Sequence, residues 1–107
     1  MTYFYIVKTM DYLKVGHTKN IEQRMKAYIN PEIIFKRRFV HSHIAMHFER
    51  FFLLCLKKCN LNHLFGEYFL FENRVNKIIN KVSSKWRFYP MNRFPNMKFD
   101  SAFEVKE

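Results

Sequence analysis

Two short runs near the N-terminus, Tyr3-Phe4-Tyr5-Ile6-Val7 and Tyr12-Leu13-Lys14-Val15-Gly16, constrain the fold more than any other feature of the chain. Both alternate and are rich in aromatic and β-branched residues, which suit a pleated, half-buried surface. Thr9-Met10-Asp11 between them supplies a short turn. The pattern predicts a hairpin with strands over 2–8 and 12–16. Gly16 is expected to end the second strand, at a corner where a side chain would obstruct. The whole chain has only two glycines against thirteen Phe and six Tyr. Tight turns are therefore scarce, and the core is expected to be built from rings.

The remaining elements follow from periodicity and end signals. Asn20 can cap a helix, with Glu22 in its first turn and Gln23 placed to reach back to the cap. Ile21, Met25 and Tyr28 would form the buried stripe of that helix, and Pro31 would stop it. Residues 32–40 read as a third strand. Ser42 is expected to cap a long helix reaching about Cys59, with Ile44, Phe48, Phe51, Phe52, Cys55 and Cys59 on a broad apolar face. Residues 60–71 read as irregular. Asn73 would cap a last helix with the stripe Val75, Ile78, Ile79 and Val82. The order β-β-α-β-α-α implies an α+β domain, a small antiparallel three-stranded sheet flanked by helices.

With 107 residues the chain has room for one domain, over residues 1–84, followed by a tail over 85–107. Nineteen Lys and Arg stand against nine acids, a net charge of +10. Three of those acids, Asp100, Glu104 and Glu107, lie in the last eight residues, so residues 1–99 hold eighteen basic and six acidic groups. A domain so charged is drawn to polyphosphates through counterion release. Basic groups cluster at Lys36-Arg37-Arg38 and Lys57-Lys58, and along residues 74–87. No signal peptide or membrane-length apolar run is evident, so a soluble intracellular protein is expected. The abundance of Phe, Ile, Asn, Lys and Tyr fits an AT-rich genome such as that of a large DNA virus. The compartment would then be the cytoplasm or nucleus of an infected cell.

Cys55 and Cys59 stand one helical turn apart, a poor spacing for a strain-free disulfide, and read as buried thiols. With His63 they could supply three zinc ligands, but no fourth is evident. The tail repeats an aromatic-Pro-x-x-basic-Phe unit, Tyr89 to Phe94 and Phe94 to Phe99. It reads either as a strand-binding arm or as a segment that caps exposed core.

Taken in order, these motifs resemble the GIY-YIG nuclease superfamily, and within it the phage-type branch whose second motif reads Lys-Ile-Gly. Tyr3-Phe4-Tyr5 stands at the first motif and Lys14-Val15-Gly16 at the second. Arg24 is the arginine of the first helix, Glu49 the helical glutamate, and Gly66-Glu67-Tyr68-Phe69 matches the Gly-Glu-aromatic-Phe signature. The resemblance covers roughly residues 2–82. Tyr3 and Phe4 replace the glycine and isoleucine of the first motif, which bears on strand packing more than on chemistry.

The resemblance implies a metal-dependent endonuclease that hydrolyses DNA phosphodiesters with a single Mg²⁺, or Mn²⁺, held by Glu49. Such an ion keeps most of its waters and needs few protein ligands. Tyr5 would position or deprotonate the water, with Lys14 and Arg24 lowering its pKa and contacting the phosphate. His17 and Tyr28 form a second tier, and Glu67 would order its loop. A late asparagine, Asn73, Asn76 or Asn80, completes the pattern. Phosphate contacts are expected from Lys14, Arg24, Lys36, Arg37, Arg38, Lys57 and Lys58. Read without the resemblance, Tyr5 is one core ring among many, Lys14 and Arg24 are solvated surface residues, and Glu49 pairs with Arg50 or Lys57. Lacking a second domain, the enzyme would be structure- or damage-directed, as in DNA repair or recombination, or would rely on a homodimer or partner protein for specificity. RNA is an alternative partner; a membrane is not expected. Two other functions compete: a non-catalytic nucleic-acid-binding module, and a protein-interaction or inhibitor role through the tail.

Overall fold

The computed structural model describes residues 1–86, and the tail repeat around Tyr89 and Phe94 lies outside them. The predicted hairpin is present: β1 (Thr2–Thr9) and β2 (Tyr12–Thr18) pair antiparallel. Met10, at φ 56, makes the reversal between them. The third strand, β3 (Glu32–Phe39), pairs with the other edge of β1, with an irregularity at Ile6 and Val7.

Among the described residues the sheet has five strands, not three. Residues 60–71, read as irregular, contain β4 (His63–Phe65) and β5 (Tyr68–Leu70), giving the order β3-β1-β2-β5-β4. Gly66, at φ +50, lies in the turn between them. Every pairing is antiparallel, so the architecture is α+β. Three-residue strands carry too little alternation to be seen in sequence. Their backbone groups are satisfied only because β2 offers an open edge, where Leu13 meets Phe69.

Among the described residues there are also three helices: α1 (Ile21–Met25), α2 (Ser42–Lys58) and α3 (Arg74–Trp86). The apolar stripes of α2 and α3 are buried as their spacing required. They close on Phe4, Ile6, Leu13, Val15 and Phe69 from one face of the sheet. Cys55 and Cys59 are buried free thiols in this core. Phe48 meets Phe39 with ring centroids 4.6 Å apart, and Phe4 meets Phe52 at 5.9 Å. The core is one of rings, as the composition indicated.

Helix α1 is shorter than its pattern suggested. It ends at Met25, well before Pro31, and buries none of its residues. Asn20 does cap it, accepting from the Gln23 N–H at 3.1 Å. The Asn20 N–H, however, donates to Thr18 Oγ1 at 3.2 Å, the group Gln23 was expected to satisfy. The turns after α1 lie against the second face of the sheet, where Thr9 Oγ1 donates to the Ile29 carbonyl. Ser42 is not the cap of α2. His41 occupies that position without a side-chain bond, and the Ser42 hydroxyl joins Thr2 Oγ1 at 2.6 Å. Among the described residues, no helix is long and apolar enough to cross a membrane.

Candidate active site

Tyr5 is the centre of the candidate site, and the β1–β2 register explains its position. It lies directly opposite Gly16, on the sheet face away from α2, and is 1 % exposed. Gly16 does not end β2, which continues to Thr18. Its missing side chain serves a different purpose: a Cβ there would stand 2.6 Å from Tyr5 Oη and 2.8 Å from Cζ. The tyrosine ring lies over the glycine, and only hydrogen fits beneath it.

Tyr5 Oη and Tyr28 Oη share a hydrogen bond of 2.7 Å. Tyr28 lies beyond the end of α1, so the turns that shorten this helix also bring its ring to the site. Desolvation pushes the Tyr5 phenol well above the usual tyrosine range, and the bond to Tyr28 pushes it the same way. Arg24 pulls it down and Glu49 pushes it up, so Tyr5 feels both charges. The expectation that neighbouring cations make Tyr5 acidic is thus corrected: burial outweighs Arg24.

Lys14 takes no part in that balance. It lies opposite Val7, beyond the Tyr5–Gly16 row, and its ammonium bonds Glu67 Oε2 at 2.5 Å. A second bond runs to the Val15 carbonyl at 3.2 Å, and the ring of Tyr68 lies 5.3 Å away. Glu67 also accepts the Val15 N–H through its own carbonyl at 3.3 Å. It therefore orders its loop, as expected, and does so by holding Lys14.

Glu49 is 7 % exposed on the inner side of α2, and its Oε2 accepts a hydrogen bond from His17 Nδ1. His17 lies opposite Phe4, on the α2 face of the sheet. The site therefore spans the sheet, with Glu49 and His17 on one face and Tyr5, Tyr28 and Arg24 on the other. The link between the two faces is electrostatic, since Tyr5 feels the charges of both Arg24 and Glu49. Arg24 is exposed on α1 and lines a cavity of about 360 Å³ with Thr18, Asn20, Gln23 and Ala27. Glu49 is a single carboxylate; among the described residues there is no cluster of three or more His, Cys, Asp or Glu placed for a metal.

The basic clusters divide. Lys57 and Lys58 occupy the last turn of α2, about 12 Å along the helix from Glu49, where they complement its C-terminal carbonyls. Lys36 and Arg38 are exposed, whereas Arg37 is half-buried with its guanidinium 5.3 Å and 5.4 Å from the rings of Phe39 and Phe48. Asn73, Asn76 and Asn80 are all exposed.

The raised phenol has a measurable consequence. Folded Tyr5 keeps its proton where the unfolded chain releases it, at about pH 10. Its contribution to stability is complete below that pH and is lost as pH rises above it. Urea unfolding at a series of alkaline pH values should show a fall of up to about 1.4 kcal/mol per pH unit from this group. Tyr5→Phe should remove that component; an unchanged slope would contradict the assignment.

Among known proteins, comparison with curated sequences and with solved structures returns no match. A family model does match, that of the T5orf172 domain, over residues 2–87. The matched span takes in all eight elements and every residue of the site. The chain belongs to the T5orf172 domain family, a phage-associated domain found in nuclease-related proteins.

Proposed function

We propose that the chain is an endonuclease of GIY-YIG type that hydrolyses DNA phosphodiester bonds. The observation that carries this reading is a buried phenol lying over Gly16 that feels both a guanidinium, with no ion pair among the described residues, and a nearly buried carboxylate. A phosphodiester needs a group to position water, a cation to neutralise the phosphate and a means of stabilising the leaving oxygen. Arg24 supplies the cation with a forked pair of donors. Tyr5 acts as a neutral phenol that orients water through its oxygen, with Tyr28 completing its hydrogen bonding. His17 holds the Glu49 carboxylate and, being partly exposed, can pass a proton to or from solvent.

A lone carboxylate steadied by a histidine fits Mg²⁺ or Mn²⁺, ions that retain waters and need few protein ligands. Glu49 would hold the ion, which when bound supplies Lewis-acid stabilisation of charge at the phosphate and the leaving oxygen.

The Lys14–Glu67 pair favours a second reading, a nucleic-acid-binding module whose site is idle, because it withholds one expected phosphate ligand. Incubating the protein with supercoiled plasmid and with flapped DNA, in Mg²⁺, Mn²⁺ or EDTA, separates the two. Cutting that requires the ion supports the endonuclease, and faster cutting of the flapped substrate supports structure-directed action. Binding without cutting supports the module.

A further inference from the structure

We infer that the sheet face carrying Tyr5 is a track for the sugar–phosphate backbone of DNA, gripped by Lys36 and Arg38. This extends the nucleic-acid reading above and rests on it. The register carries the argument. Gly16, Tyr5 and Lys36 form one row across β2, β1 and β3, and Thr18, Tyr3 and Arg38 form the next. Directly opposed residues in a sheet share a face. Lys36 and Arg38 therefore stand beside Tyr5 and Tyr3, two residues apart and about 6.8 Å along the strand.

Arg37 belongs to the other face. It lies opposite Phe4, its guanidinium rests on Phe39 and Phe48, and burial lowers its pKa. Three cations adjacent in sequence are thus divided into two that face solvent and one that packs on the core. Neither Lys36 nor Arg38 has an ion pair among the described residues, and no acid lies in either row. The neighbouring α1 and its following turn add Arg24 and Lys26 against Glu22. A polyanion lying along β3 would meet these cations and pass beside the buried Tyr5 without crossing an acidic group of the two rows.

The test is fluorescence anisotropy of the full chain on a labelled DNA duplex across a KCl series. In Lys36→Gln/Arg38→Gln, two lost phosphate contacts should make the slope of log affinity against log salt shallower by about 1.8, with affinity down about tenfold at low salt. The charge-conserving Lys36→Arg/Arg38→Lys should keep the slope, and circular dichroism establishes that both variants are folded. Arg37→Gln should lower the melting temperature and leave the slope unchanged. A double glutamine variant with the wild-type slope overturns the track while leaving the nucleic-acid reading intact. Absence of salt-sensitive binding by the wild type overturns both. Binding without cleavage removes the catalytic reading alone.

Discussion

Glu49→Gln is expected to reduce metal-dependent cleavage by about three orders of magnitude. Glutamine preserves the shape of the side chain and can still accept from His17 Nδ1 through its amide oxygen, so the fold should persist. It removes the charge that would bind the ion. DNA affinity should change by less than about twofold, since the phosphate contacts proposed here come from other residues. Single-turnover cleavage and anisotropy on the same preparation give the two quantities. Equal cleavage by both proteins would remove Glu49 from the mechanism, and a matching loss of affinity would make it a binding residue instead.

Gly16→Ala should destabilise the domain by about 1–3 kcal/mol, the usual cost of forcing extra volume into a packed site. The added Cβ would meet Tyr5 Oη at 2.6 Å and Cζ at 2.8 Å. Tyr5 has little room to move, being almost wholly buried and tied to Tyr28. Relief would require the ring to tilt, which breaks the hydroxyl pair and displaces the oxygen assigned to the water. Cleavage should therefore fall along with stability. Combining Gly16→Ala with Tyr5→Phe should cost less than the sum of the two, because removing the oxygen relieves the closest clash. Chemical denaturation of the four proteins measures that coupling. Strict additivity would mean that the glycine and the ring do not communicate.

The parts of this fold legible in sequence are those with repeated local pattern. The β1–β2 hairpin alternates over enough residues to fix its faces, and the stripes of α2 and α3 repeat over several turns. Where the signal was a single residue, it could be read in two ways. Gly16 could mark a strand end or a close approach, and only the ring across the ladder decides between them. Ser42 could cap a helix, but the Thr2 hydroxyl, forty residues away in sequence, claims it. The β4–β5 strands owe their existence to a pairing edge elsewhere, which no local window contains.

The site divides in the same way. Tyr5, Arg24 and Glu49 were singled out through a family resemblance, and in the structure Tyr5 feels the charges of the other two. The state of Tyr5 was not readable, because it depends on how deeply the ring is buried and on the hydroxyl of Tyr28. Nor was the partner of Lys14, which is Glu67, in the turn between two strands too short to be read from sequence. The division of Lys36, Arg37 and Arg38 needed the register of β3 against β1.

Among the described residues the sheet stops at β3 on one side and β4 on the other. Each border presents backbone donors and acceptors that a neighbouring copy could zip onto, a route to aggregation that proteins commonly block. The two borders differ in their protection. β4 is only three residues long, too brief a template to extend, whereas β3 runs for eight and depends on the mutual repulsion of its basic side chains. Neutralising Lys36 and Arg38 thus strips a colloidal safeguard as well as phosphate ligands, and such a variant belongs in dilute solution. Reversing both charges to glutamate would weaken attraction to DNA more than the glutamine pair does while keeping like charges along that border, so solubility and nucleic-acid affinity can be tuned separately along one strand.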